Sequence, residues 1–200
     1  MAADDISPIC LLVKRRALQI FFFAAMAALL PAAGLRATLS SGATYSISFV
    51  DIKDDKLSTA DGHVTILVLT TAADWEKARA VGDRVPAYCL GNPNYRMITV
   101  IHFTGRHRVI GRKIATMVIR HRANQEANRL QARYDAMKIS RDAHADMFVV
   151  TDFDGTVSLQ LGEPSGAMDF CVFVFGRTGE LLAQWRGVPS AKQLAEVLKS

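Results

Sequence analysis

The sequence predicts an α/β domain built on a central mixed β-sheet flanked by helices, and three observations carry this prediction. Patterns typical of buried strands alternate with helical patterns along most of the chain. Near the end, the apolar run Cys171–Phe175 and the glycine-containing connection 176–179 predict a hairpin. After it, Ser190 and Gln193 have the spacing of a capping box that opens a closing helix.

One main domain is expected, because 200 residues that are 50% hydrophobic can bury one good core. Residues 1–37 are predicted to be a signal peptide or N-terminal membrane anchor, and residues 38–200 the folded domain. Three basic residues at 14–16 precede an apolar run over residues 17–30, which is typical of an export signal. Cleavage is the preferred interpretation, and a membrane tether through residues 17–33 is the alternative. We therefore expect an exported protein, in the periplasm or at the extracytoplasmic face of the membrane.

The elements of the domain follow in an order whose first half requires parallel crossovers. Thr71 and Asp74 resemble a capping box at the start of the first helix. The predicted strands cover residues 45–51, 63–69, 95–103 and 147–151, the predicted helices cover residues 75–81 and 110–137, and loops are expected over residues 53–61 and 163–166.

The long predicted helix is amphipathic and basic. Its apolar residues are predicted to pack on the sheet while its arginines stay in solvent; the apolar residues are Ile114, Met117, Val118, Ala127, Leu130, Tyr134 and Met137, and the arginines are Arg120, Arg122, Arg129 and Arg133. Further basic residues on or near this helix are Arg106, His107, Arg108, Arg112, Lys113 and His121. No aromatic interleaving or recognisable module points to nucleic acid, so the expected partner is an unknown envelope protein or an anionic surface such as lipid headgroups or a cell-wall polymer.

Three segments resemble the thioredoxin-like superfamily, specifically its exported redoxin and peroxiredoxin-like branch. They are Asp-Gly-His-Val-Thr-Ile-Leu over residues 61–67, Asp-Phe-Asp-Gly-Thr-Val over residues 152–157, and Phe-Gly-Arg-Thr-Gly-Glu over residues 175–180. The resemblance covers roughly residues 45–200. It implies a thioredoxin-like domain whose chemistry depends on Cys-x-x-Cys, or on one peroxidatic cysteine, at the start of the first helix.

The chain departs from that pattern at the site itself. The corresponding residues 72–76 read Ala-Ala-Asp-Trp-Glu and contain no thiol, and the family's cis-proline position falls at about Phe170. The sequence therefore predicts a binding or scaffolding module of the cell envelope without catalytic residues or a cofactor. The alternative is a divergent thiol redox or peroxidase-type enzyme that uses Cys89 or Cys171. These two thiols are expected at opposite ends of the sheet, buried and unpaired.

The sequence contains part of the residue pattern for two other kinds of site, a metal site and a phosphatase site. His102 and His107 are the closest pair of histidines, and with no third ligand in view no metal site is predicted. Asp152 and Asp154 resemble the first motif of the haloacid dehalogenase-like phosphatases. That motif comes late in this chain and lacks a later acidic pair, so an Asp-x-Asp-Gly turn is the preferred interpretation and phosphatase activity the minor alternative.

Overall fold

The computed structural model describes residues 39–103, 109–163 and 169–199, which belong to one compact unit spanning residues 38–200. The predicted signal segment and residues 164–166 of the predicted loop lie outside the described residues. Within the part of the chain that the structure describes, no helix has the length and apolar character needed to cross a bilayer.

Seven strands and four α-helices alternate along the described chain. The strands are β1 (Ser48–Val50), β2 (Lys56–Ser58), β3 (Val64–Thr71), β4 (Tyr95–His102), β5 (Phe148–Asp152), β6 (Cys171–Phe175) and β7 (Leu181–Arg186). The helices are α1 (Trp75–Arg84), α2 (Val109–Ala136), α3 (Thr156–Gln160) and α4 (Ala191–Leu198). Short 3₁₀ turns at Ala72–Asp74 and Ala87–Cys89 precede α1 and β4.

Five strands form a mixed sheet in the order β5-β4-β3-β6-β7, which confirms the predicted fold class. β3, β4 and β5 are parallel, whereas β6 is antiparallel to β3 and to β7. The strands β3 and β6 lie at the centre and read as continuous apolar runs because both of their faces are buried. One face packs on α1 and α4 through residues such as Ile66 and Val172, and the other packs on the β1–β2 hairpin through Leu67 and Phe173.

The carboxyl-terminal part of the domain follows the prediction closely. Gly179 in the β6–β7 connection has φ +85°, and a Cβ there would collide with the carbonyl oxygen of Tyr45, so the turn requires glycine. The capping box is confirmed, because Ser190 Oγ accepts from the Gln193 amide at 3.2 Å while the Gln193 side chain accepts from the Ser190 amide at 2.8 Å. This helix buries Leu194 and Leu198 against the sheet.

Three local expectations were wrong. The predicted loop 53–61 contains β2, because Leu57 is buried when this segment pairs with the short strand β1. Thr71 makes no capping bond to the backbone, and a 3₁₀ turn separates it from α1. The Asp-Gly turn after β5 continues into α3, an element that the sequence pattern did not predict.

The predicted apolar face of α2 was wrong over its first half. Ile114, Met117 and Val118 are exposed, and from Ile110 onward the first buried side chain is Ile119. The buried face continues through Ala123, Ala127 and Tyr134, while Leu130 is half-buried and Met137 exposed. The reason is helical phase: with 3.6 residues per turn, Ile114, Met117 and Val118 lie on the opposite side of the helix from Ile119, Ala123 and Ala127. These three side chains therefore face away from the sheet.

Arg120 and Arg129 are exposed as predicted, whereas Arg122 and Arg133 are half-buried, and all four also bind neighbouring elements. Arg120 donates to the Ile52 carbonyl, Arg122 to that of Ala72 at 3.2 Å, and Arg133 to that of Gly82 at 3.2 Å. Arg129 forms an ion pair with Asp83 at 2.9 Å. These contacts attach α2 to α1 and to the β3–α1 connection. Arg106, His107 and Arg108 lie outside the described residues.

Candidate functional site

The carboxyl ends of the parallel strands β3, β4 and β5 meet at one edge of the sheet. The pairing register places Thr71, His102 and Asp152 side by side at this edge. In open α/β sheets, this edge is where ligands and reacting groups usually lie. It is therefore the first candidate for a functional site.

His102 and Asp152 form a buried pair with Ser158 of α3. The Nδ1 atom of His102 lies 3.3 Å from Oδ2 of Asp152 and 3.1 Å from Oγ of Ser158. The side chains of His102 and Asp152 are only 3% and 1% exposed. Among the described residues, Nε2 of His102 is buried without a hydrogen-bond partner. Because serine and aspartate both contact the same ring nitrogen, this is not the relay geometry of a Ser-His-Asp triad.

Asp152 also holds the start of α3. Its carboxyl oxygens accept from the amides of Val157 at 3.3 Å and Ser158 at 3.0 Å, and from the Ser158 hydroxyl. Asp154 is exposed and accepts from the Thr156 amide at 3.1 Å, and this hydrogen bond lowers the pKa of Asp154. The two candidate phosphatase residues are thus engaged with the backbone of α3, and Asp152, the first aspartate of the motif, is shielded from solvent.

The β3–α1 connection, where the resemblance places the reactive cysteine, is held by polar contacts. Asp74 receives a hydrogen bond from the Thr71 hydroxyl at 3.4 Å and an ion pair from Lys77 at 2.8 Å. Trp75 is buried, and its indole Nε1 donates to Glu126 of α2 at 3.4 Å. The connection therefore contains no thiol and is fixed to α2.

Cys171 begins β6 beside Leu69, so it lies near the same edge of the sheet. Its Sγ atom lies 3.6 Å from Oε1 of the buried Glu163, which also pairs with Arg186 at 2.9 Å. Burial, reinforced by the adjacent Glu163, raises the pKa of Cys171 to about 12. Phe170, the residue at the expected cis-proline position, is buried directly before it. The environment thus favours a protonated thiol.

Cys89 lies in the 3₁₀ turn before β4, and burial raises its pKa to about 11. It lines a cavity of about 140 Å³ between α1 and α2, together with apolar residues that include Met97 and Leu130. Because β4 is parallel and β6 antiparallel to β3, Cys89 precedes the start of one strand while Cys171 begins near the opposite end. The strand directions behind the prediction for the two thiols are confirmed, and both are buried and unpaired in the structure.

Of the two histidines closest in the sequence, His102 and His107, the second lies outside the described residues. Within residues 39–103, 109–163 and 169–199, no group of three or more His, Cys, Asp or Glu side chains is arranged to hold a metal ion.

The buried cluster of His102, Asp152 and Ser158 was missed by the sequence analysis. The position of two of its residues could have indicated the cluster. His102 and Asp152 each lie at the end of a strand in a predicted parallel pair, and the carboxyl ends of parallel strands meet at one edge of a sheet. Ser158 gave no signal, since the helix that carries it was not predicted.

Comparison with solved structures identifies the architecture. A putative protein disulfide isomerase from Bacteroides thetaiotaomicron superposes with a TM-score of 0.51 at 10% identity, over 82% of this chain and 92% of that one. This chain has a thioredoxin-like fold. The predicted resemblance is thereby confirmed at the level of fold, and the β3–α1 connection is the position at which the resemblance placed catalysis.

Two further similar structures have lower TM-scores. The pneumococcal exposed lipoprotein thioredoxin from Streptococcus pneumoniae has a TM-score of 0.48 at 10% identity, over 78% of this chain and 98% of that one. A putative thiol:disulfide interchange protein from Chlorobium tepidum has a TM-score of 0.48 at 14% identity, over 81% and 97%. No protein-family model and no curated protein matches the sequence.

Proposed function

We propose that this chain is a binding or scaffolding module of the cell envelope that uses the thioredoxin-like fold without thiol–disulfide exchange. One observation carries the proposal: residues 72–76, at the start of α1, contain no thiol, and both described thiols are buried elsewhere. The fold is therefore present without the group that its redox members use at this position.

The chemistry of exchange supports the same conclusion. Attack on a disulfide requires a thiolate that the substrate can reach. Burial raises the pKa of Cys89 to about 11 and that of Cys171 to about 12, so both stay protonated near neutral pH. Neither thiol lies within the first turn of an α-helix, where the backbone would favour a thiolate.

An extracytoplasmic location is part of this proposal. Basic residues at 14–16 are followed by an apolar run over residues 17–30. This arrangement supports export or a tether at the membrane. A similar structure is described as an exposed lipoprotein, which agrees with this location.

A second candidate, a divergent thiol enzyme, has one observation in its favour. Cys171 lies near the sheet edge that carries the β3–α1 connection, since it pairs with Leu69 two residues before the end of β3. Its contact with Glu163 opposes this candidate, because a neighbouring carboxyl group disfavours the thiolate.

The two candidates are separated by turnover assays on the full chain. We expect insulin reduction and peroxide consumption at the rate of the protein-free control, both for the parent and for the Cys89→Ser and Cys171→Ser variants. Cys10→Ser serves as a control for the thiol outside the described residues. Turnover above background that disappears with Cys89→Ser or Cys171→Ser would overturn the proposed function in favour of the enzyme.

A further inference from the structure

The first half of α2 exposes an apolar stripe. Ile110, Ile114, Met117 and Val118 follow the i, i+4, i+7, i+8 spacing of one helix face, and each is between 49% and 74% exposed. They are four of the eight large apolar side chains that are exposed among the described residues. Scattered exposed hydrophobic residues need no explanation, but a cluster on one face marks an interaction surface.

This stripe projects from the body of the domain. No side chain from Ile110 to Val118 is buried, and the first one that is, Ile119, packs with Ile101 near the end of β4. Nine residues of helix correspond to about 14 Å. We call the segment from Ile110 to Val118 the projecting segment. Its apolar side chains are accessible to an extended binding surface.

The charges on this part of α2 have one sign. From residue 109 to residue 125 the sequence contains no Asp or Glu, and the first acidic residue of the helix is Glu126. The cations of the projecting segment are Arg112 and Lys113, both exposed, and Arg120 follows within one turn. Arg112 lies over the ring of Phe153, 5.5 Å from its centroid, on the side of the helix that faces the domain, so Lys113 is the cation that flanks the stripe.

Apolar side chains combined with cations on one helix match the interface of an anionic bilayer. Such helices lie in the plane of the interface, with the apolar face among the acyl chains and the cations at the headgroups. A second copy of this chain fits less well, because packing two projecting segments together would bring their cations into contact without acidic partners. A purely polar anionic polymer would leave the apolar stripe uncovered.

We propose that the projecting segment docks the domain on the surface of an anionic lipid bilayer. Ile110, Ile114, Met117 and Val118 enter the interface, and Lys113, which flanks them, pairs with lipid headgroups. This inference rests on the proposed function, since it names the surface that an envelope module would bind. Docking of this kind orients the carboxyl edge of the sheet towards the membrane, because α2 starts at that edge.

The test places a fluorescent reporter in the stripe of the full chain, reconstituted in lipid nanodiscs. The Met117→Trp variant is compared with Met137→Trp, in which the same exposed residue type is changed just beyond the other end of α2. The parent, with Trp75 and Trp185, gives the background. Brominated lipids quench only a tryptophan that enters the bilayer, so the result does not depend on how the N-terminal segment is attached.

In discs that contain phosphatidylglycerol we expect the Met117→Trp reporter to be blue-shifted and quenched, and the Met137→Trp reporter to match the background. In phosphatidylcholine discs the quenching at position 117 should fall. Equal quenching at positions 117 and 137, or equal quenching in both lipids, would contradict the inference. Quenching that appears only in discs with two copies of the chain would assign the surface to self-association instead.

A charge variant tests the headgroup contribution separately. In the Met117→Trp background, Lys113→Gln should lower the docked-to-undocked ratio about fivefold, which corresponds to about 1 kcal/mol for one cation near an anionic surface. Lys138→Gln, at the far end of the helix, should leave the ratio unchanged. Identical ratios for the two variants would refute pairing of Lys113 with headgroups. Because thiol turnover depends on Cys89 and Cys171 and not on residue 117, the proposed function and this inference can fail independently.

Discussion

The Sγ atom of Cys171 lies 3.6 Å from Oε1 of Glu163, and both side chains are buried. The thiol donates to the carboxyl group, so removing its proton would place a negative charge beside an acidic side chain in a site that excludes water. This contact sits near the edge of the sheet where the fold presents its functional groups. It disfavours the thiolate form of a cysteine so placed.

The first prediction concerns thiol reactivity. In the native full chain carrying Cys10→Ser, alkylation of Cys89 and Cys171 should be slow and should show no inflection below about pH 10, because their pKa values are raised to about 11 and about 12. After unfolding without reductant, titration with a thiol reagent should find two free thiols. A monomer with no free thiol would mean that the cysteines are bridged and that the strand directions described above are incorrect.

The second prediction compares two isoleucines on α2. Ile119→Ala should lower the free energy of unfolding by about 2–5 kcal/mol, because Ile119 is buried against Ile101. Ile114→Ala should change it by no more than about 0.5 kcal/mol, because that side chain is exposed. Urea unfolding measures both. Similar losses at the two positions would show that the first half of the helix packs on the domain.

The third prediction concerns an ion pair at the other end of the sheet. Arg96 donates to both carboxyl oxygens of Asp61 at 2.8 Å and to Thr65 Oγ1 at 3.0 Å. Asp61→Asn should lower the free energy of unfolding by about 2–3 kcal/mol at pH 7, because it leaves the buried guanidinium without its counter-charge. Asp55→Asn, at an exposed carboxyl group, is the control and should have an effect within about 0.5 kcal/mol.

The same pair predicts a pH dependence. Burial opposes ionisation of Asp61, but hydrogen bonds from Arg96, His63 and the Ser58 amide outweigh it and lower the pKa. A lowered pKa contributes stability above the unfolded value of about 3.9, and that contribution is lost as the pH falls through the folded value. The difference between parent and Asp61→Asn should therefore shrink below about pH 4. A difference that stays constant down to pH 2 would contradict this explanation.

The fourth prediction concerns Asp152. Asp152→Asn should lower the free energy of unfolding by about 2–4 kcal/mol, because an amide nitrogen cannot accept from the Ser158 amide and hydroxyl. Asp154→Asn is the matched control and should cost less than about 1 kcal/mol, since Asp154 is exposed and asparagine still accepts from Thr156. With magnesium and a chromogenic phosphate ester, we expect no phosphate release. Release that Asp152→Asn abolishes would restore the phosphatase alternative.

Most of the sheet could be predicted from the sequence, because β-branched and aromatic runs such as Cys171–Phe175 determine a buried strand locally. The capping box at Ser190 could also be predicted, because its two residues lie three positions apart in the sequence. In contrast, β2 has one buried apolar residue, Leu57, and forms only because β1 pairs with it. The fold of such a segment depends on tertiary contacts that a sequence pattern does not contain.

The candidate site was less predictable for the same reason. The apolar residues predicted in the first half of α2 lie on the opposite side of the helix from those in the second half, and periodicity alone does not say which side covers the sheet. The absence of a thiol at residues 72–76 is known from the sequence alone. The contact between His102 and Asp152 required the strand order, since these residues lie 50 positions apart.

Thiol exchange on this thioredoxin-like fold is measured by reacting the native full chain carrying Cys10→Ser with glutathione disulfide at pH 7 and determining its intact mass. We expect an unchanged mass over hours, and adducts at Cys89 and Cys171 only after unfolding, because both thiols are buried and protonated in the native state. A native protein that forms a mixed disulfide at Cys171 within minutes, and that no longer does so as Cys171→Ser, would contradict it.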